Sequence, residues 1–83
     1  MRLVVTEPAE KDLLDIDAKH RQRIRQAIER MLSDPRTSDL KKLKGQENTW
    51  RLRVGDWRVI LEIDQAEGII YAHRIKHRRE AYR

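Results

Sequence analysis

Eighty-three residues without a cysteine exclude a disulfide framework and thiolate metal sites, and leave room for one small domain, residues 1–83, whose single core is only just sufficient. With 40% charged residues, 39% apolar residues and no phenylalanine, that core must rest on Leu, Ile, Val and the two tryptophans. A formal net charge of +5 favours polyanion partners, nucleic acid or an acidic protein. With no apolar run long enough to span a bilayer and no signal-peptide pattern, a cytoplasmic protein with no membrane partner is expected.

Arg2-Leu3-Val4-Val5-Thr6 reads as a short opening strand. Thr6 then offers a hydroxyl at a helix N-cap, Pro8 suits the first turn, and acids lie near the positive end of the helix dipole. Leu13, Leu14 and Ile16, with Ala9, are the expected core stripe of this first helix. A second helix is predicted from about Ala18 to Leu32, because Ile24, Ala27, Ile28, Met31 and Leu32 recur at i, i+3, i+4, i+7 and i+8. Its other face carries Arg21, Arg23, Arg25 and Arg30; His20, at its start, reads as solvent-exposed, and Ser33-Asp34-Pro35 ends it. Residues 36–49 read as a polar connection anchored by Leu40 and Leu43.

The next segment is a hairpin. Trp50, Leu52 and Val54 alternate with Arg51 and Arg53, Gly55-Asp56 is a two-residue turn, and Trp57, Val59, Leu61 and Ile63 resume the alternation. Such a turn sets Val54 opposite Trp57 and Arg53 opposite Arg58. The apolar set faces the helices, so Arg51, Arg53 and Arg58 project from the open face with Ile60 and Glu62. Like charges directly across a ladder are destabilising, so the pair is either well solvated or held for an anion. The anion reading is favoured: Glu62 and Glu80 are the only acids expected near this face, and more cations follow. A turn at residues 64–68 leads to a strand from Ile69 to about Lys76, whose side-chain parity depends on the turn length. His73 to Arg83 then carries five Lys/Arg against one Glu, as a short helical turn or irregular chain. The order β-α-α-β-β-β implies an α+β fold, an antiparallel sheet packed on an α-helical hairpin.

No Ser/His/Asp set, glycine-rich phosphate loop or paired-carboxylate site can be made out, and the histidines lack metal-ligand spacing, so no metal is expected. His73 and His77 are either proton carriers or surface histidines of a basic segment. Tyr82, among cations, suits base stacking or a cap over the sheet, whereas Trp50 and Trp57 read as core.

Three stretches, Leu40-Lys41-Lys42-Leu43-Lys44-Gly45, Trp50 through Ile60, and His77-Arg78-Arg79-Glu80-Ala81-Tyr82-Arg83, resemble the RelE/ParE toxin superfamily, RelE branch. The resemblance spans essentially the whole chain. It implies a RelE-like microbial RNase fold and the toxin of a type II toxin–antitoxin pair. Such toxins cut mRNA on the ribosome and so inhibit translation, without metal or other cofactor. The implied partners are a cognate antitoxin, in a hetero-oligomer, and the ribosome with its mRNA. Arg51 and Arg53 match two hairpin basics that are lysines in the best-known members, Arg58 the return-strand arginine, Arg78 (or Lys76) the late arginine, and Tyr82 the stacking tyrosine. Guanidinium groups hold their protons and make poor bases, so proton transfer passes to His77, His73, Tyr82 or ribosomal RNA. Lys42, Lys44, Arg74, Lys76, Arg79 and Arg83 complete the expected RNA-binding surface. Two other readings stay open: a ParE-like inhibitor of DNA gyrase without RNase activity, and a catalytically weak RNA- or antitoxin-binding member.

Overall fold

The computed structural model describes residues 1–81. In chain order they form β1 (Arg2–Val5), α1 (Glu7–Leu14), α2 (Ala18–Ser33), a 3-10 turn (Pro35–Thr37), β2 (Leu40–Lys42), β3 (Thr49–Val54), β4 (Trp57–Asp64), β5 (Ile69–His77) and α3 (Arg78–Ala81). The sheet order is β1-β5-β4-β3-β2. The two long helices cover one face of this five-stranded sheet, an α+β arrangement as expected. Two features go beyond the expectation. The polar connection contains a strand, β2, which anchors through Leu40 opposite Leu52, and β1 joins the sheet parallel to β5. Among the described residues no helix is long and apolar enough to cross a membrane.

The helices start where side chains can replace the missing backbone acceptors. Thr6 accepts from the Ala9 N–H at 3.4 Å, and its hydroxyl also donates to the Ala72 and His73 carbonyls, tying the start of α1 to β5. Asp17 caps α2 through the His20 N–H at 2.9 Å. Hydrogen bonds from the His20 backbone and then its ring hold the Asp17 carboxyl below its usual value. Arg21 does not sit on the solvated face of α2. It folds back to donate from Nε to the Leu13 carbonyl and from Nη2 to that of Ile16, closing the open end of α1. Ala9 and Leu13 are buried, but Leu14, expected in the same stripe, is 72% exposed, because α1 ends there and Ile16 takes the inward place.

Ile24, Leu52, Val59 and Leu61 are the most completely buried large side chains, and Ile28, Met31, Ile70, Ala72 and Ile75 close around them. Trp50 and Trp57 only border this cluster, half-buried, rather than forming its centre. The β3–β4 hairpin has the expected register, with Val54 opposite Trp57 and Arg53 opposite Arg58. Gly55 has φ +59° while Asp56 stays at negative φ, the pattern of a type II′ turn that only glycine enters cheaply.

β5 changes its parity partway along. Ile60 faces Arg74, yet Leu61 faces Ala72, so His73 is an inserted residue. This bulge lets Ile70, Ala72 and Ile75 all point into the core despite their odd spacing. β1 pairs with β5 only as far as Ala72. Beyond it, Asp12 of α1 takes over the edge: its Oδ2 accepts from the Ile75 N–H at 2.8 Å and from Arg74 Nε at 2.9 Å.

Candidate functional site

The open face of the sheet carries its cations in rows set by strand register. One row runs Arg53, Arg58, Lys76 across β3, β4 and β5, and spans about 10 Å at the usual strand spacing. The next runs Lys41, Arg51, Ile60, Arg74. Ladder pairing forces these neighbours together whatever their charge. The fold therefore holds like charges side by side, an arrangement that an oligoanion relieves.

The first row meets the C-terminal segment at the hairpin tip. The Arg78 N–H donates to the Asp56 carbonyl at 2.7 Å, and its Nη1 lies 4.0 Å from Asp56 Oδ1. These contacts seat the start of α3 beside the turn. Arg53 Nε reaches the Gly55 carbonyl at 3.4 Å. The result is an open pocket of about 330 Å³ lined by Arg53, Gly55, Asp56, Arg58 and Arg78. Three of the residues singled out by sequence thus converge on one concavity. Guanidinium forks suit phosphate oxygens, and donors placed before charge develops stabilise an anionic transition state.

Other candidates lie elsewhere. Arg51 has only 16% of its side chain exposed and pairs with Asp39 at 3.3 Å, so its charge is engaged at the β2 edge. Arg74 is bound to Asp12 through Nε and Nη2, wrapped around the edge of β5. Burial pushes the Asp12 carboxyl up. The Arg74 hydrogen bond, the Ile75 N–H and the charges of Arg74 and Lys76 outweigh burial and leave the carboxyl below its ordinary value. Asp39, Asp56 and Asp12 are thus acids that sequence spacing did not place near these arginines; Glu62 instead lies 3.6 Å from His73 Nε2.

His73 sits at the bulge with its ring stacked on Tyr71, centroids 5.8 Å apart. His77 is in register with Trp57, which puts it on the helix side of the sheet, away from the Arg53–Arg58–Lys76 row. Its ring meets Trp57 edge-on at 4.9 Å, and its Nδ1 accepts from the Arg79 N–H at 3.3 Å. Lys42 is opposite Trp50, hence on the helix-side parity of the edge strand, and Lys44 is exposed in the following loop. Lys41, in register with Arg51, holds the open-face position instead; a three-residue strand is too short to show its alternation. Arg79 is exposed on α3, and Tyr82 and Arg83 lie outside the described residues.

His20, expected in solvent, is half-buried: its Nδ1 is 2.7 Å from Asp17 Oδ1 and its ring lies 6.1 Å from Trp57. With Arg23, Arg30, Trp57 and His77 it lines a concavity of about 560 Å³ between α2 and the hairpin tip. The arginines of α2 were visible in sequence as a charged helix face, but nothing local pointed to a groove.

The profile of the ParE toxin of type II toxin–antitoxin systems matches residues 3–82. Toxin RelE3 of Methanocaldococcus jannaschii is 33% identical over 86 residues, covering 99% of this chain and 96% of its own. Putative toxin RelE1 of the same organism is 30% identical over 76 residues, covering 88% and 84% respectively. Among solved structures, the toxin in the RelB–RelE antitoxin–toxin complex from Methanococcus jannaschii superposes with TM-score 0.80 at 29% identity, covering 95% of this chain and 94% of that one. The archaeal RelE–RelB complex from Pyrococcus horikoshii, at 24% identity and TM-score 0.78 over 93% of each chain, shares the fold.

Proposed function

Since the chain belongs to the ParE toxin family of type II toxin–antitoxin systems, within the RelE/ParE superfamily, we propose that it is a ribosome-dependent, metal-independent mRNA endoribonuclease that inhibits translation in the cytoplasm. The observation that carries this reading is the convergence of Arg53, Arg58 and Arg78 on one open pocket. In the reaction the ribose 2′-oxygen attacks the adjacent phosphorus and the P–O5′ bond breaks, leaving a 2′,3′-cyclic phosphate and a 5′-hydroxyl. The 2′-hydroxyl gives up one proton and the departing 5′-oxygen gains one. Arg53 and Arg58 hold the phosphate and offset the extra negative charge of the five-coordinate state, and Arg78 closes the pocket from the other side. The arginines keep their protons. Proton transfer then falls to Lys76, in register with Arg58, to His73 on the same face, to Tyr82 or to ribosomal RNA. His77, on the helix side, is poorly placed for it.

The partner proposed for the resting state is a cognate antitoxin, as in the RelB–RelE complexes, forming a hetero-oligomer. The competing reading, gyrase inhibition without RNA cleavage, draws its support from the ParE description of the family profile. RelE-named relatives across nearly the full chain favour the first. Primer extension on a reporter mRNA in a translation extract separates them. New in-frame 5′ ends with the parent protein, absent with a folded Arg58→Ala variant, are the expected result. Intact mRNA with DNA damage in cells points to gyrase, and full cleavage by Arg58→Ala removes Arg58 from the site.

A further inference from the structure

The groove between α2 and the hairpin tip has no part in the chemistry above, yet it adjoins the phosphate pocket. Gly55 and Asp56 form walls of both. A smaller depression of about 180 Å³ shares Arg30 and Val54 with the groove and Arg53 with the phosphate pocket, and its acid, Asp39, is paired with Arg51. Cations therefore run from Arg23 and Arg30 around the hairpin edge to Arg53, Arg58 and Arg78. Among the described residues neither Arg23 nor Arg30 forms an ion pair, although both are exposed and one helical face brings them to the same groove. Among the described residues the one acid in the groove wall, Asp56, is turned to Arg78. Trp57, half-buried, supplies an aromatic surface fixed edge-on by His77.

We propose that this helix-side groove is a second subsite for single-stranded RNA, in which a nucleotide flanking the one held at Arg53, Arg58 and Arg78 places its phosphate at Arg23 and Arg30 and its base against Trp57. A volume of about 560 Å³ is within the range that holds small ligands. Guanidinium groups beside a partly exposed aromatic ring are what single-strand binding uses, charge for the backbone and a π-face for any base. An acidic peptide would satisfy the arginines too, but among the described residues the apolar side chains in the wall are Val54 and Trp57, too few to anchor one. The inference rests on the RNA-cleaving reading and extends it from one phosphate to a track around the hairpin.

The test is fluorescence anisotropy of a labelled, 2′-O-methylated oligouridylate, which binds without being cut, titrated with the full chain across a salt series. Arg23→Gln/Arg30→Gln should weaken binding about tenfold or more and make the log–log salt slope shallower by about 0.7, the value for one phosphate neutralised in single-stranded RNA. It should also abolish the quenching of tryptophan emission that the parent shows on binding. Lys19→Gln/Arg25→Gln, which removes the same charge from exposed positions outside the groove, should change affinity less than about twofold. Equal losses in both double variants, or no loss in the first, overturn the subsite. An unchanged RNA affinity with lost antitoxin binding assigns the groove to an acidic peptide and overturns it as well. A parent that binds no oligouridylate overturns the subsite, while cleavage on the ribosome stands or falls by primer extension; a parent that binds, with loss only in Arg58→Gln, removes the subsite as well.

Discussion

Asp12→Ala is the most informative single perturbation of the fold, because one carboxylate replaces a missing stretch of β1. β1 pairs with β5 only to Ala72, and three residues later the Ile75 N–H donates to Asp12 Oδ2 at 2.8 Å. Ile75 is 3% exposed, so without Asp12 this N–H has no ready access to water, which costs about 1–3 kcal/mol. The lost pair with Arg74 adds little, about 0–1 kcal/mol, since the Arg74 side chain is 50% exposed. The sum, about 1–4 kcal/mol, lowers Tm by about 4–8 °C for each kcal/mol in a chain of this size. Asp12→Asn keeps an acceptor for Ile75 and should lose only about 1 kcal/mol. The folded carboxyl titrates below its unfolded value, so the ionised form stabilises the protein above the unfolded pKa, and that share is lost as pH falls through the folded one. Urea unfolding followed by far-UV circular dichroism should therefore show a gap between parent and Asp12→Asn at neutral pH that closes below about pH 4. An Asp12→Ala variant within about 0.5 kcal/mol of the parent at neutral pH, or a gap that widens in acid, would refute the reasoning.

Leu61→Ala, at a fully buried position opposite Ala72, should cost about 2–5 kcal/mol in the same urea assay, with an unchanged m-value if the chain still unfolds in one step. Gly55→Ala meets no atom within 4 Å, so its cost, about 1–3 kcal/mol, comes from φ +59° alone; no measurable loss would mean that the turn relaxes to another type. Because Gly55 also walls the Arg53–Arg58–Arg78 pocket, the proposed cleavage requires that a folded Gly55→Ala variant cut reporter mRNA more slowly than its stability loss explains.

Much of this molecule was legible in its residues. Alternation and the two-residue turn specified the β3–β4 hairpin and its Arg53–Arg58 register, and the i, i+3, i+4 stripe specified α2, because both patterns act between near neighbours. The family, too, was readable from the hairpin and the C-terminal motif. What tertiary structure alone decided depends on partners far away in sequence. The bulge at His73 exists because the inward places on β5 must match β4, and no local spacing announces it. Arg74 and Asp12 meet across 62 residues, which makes an arginine expected on the RNA-binding surface part of an edge clamp. The same docking carries His77 to the helix side, beside arginines of α2, and so divides the basic surface into two pockets around one turn. Residue order set where the charges lie along each element; packing the elements set which of them meet a carboxylate and which meet one another.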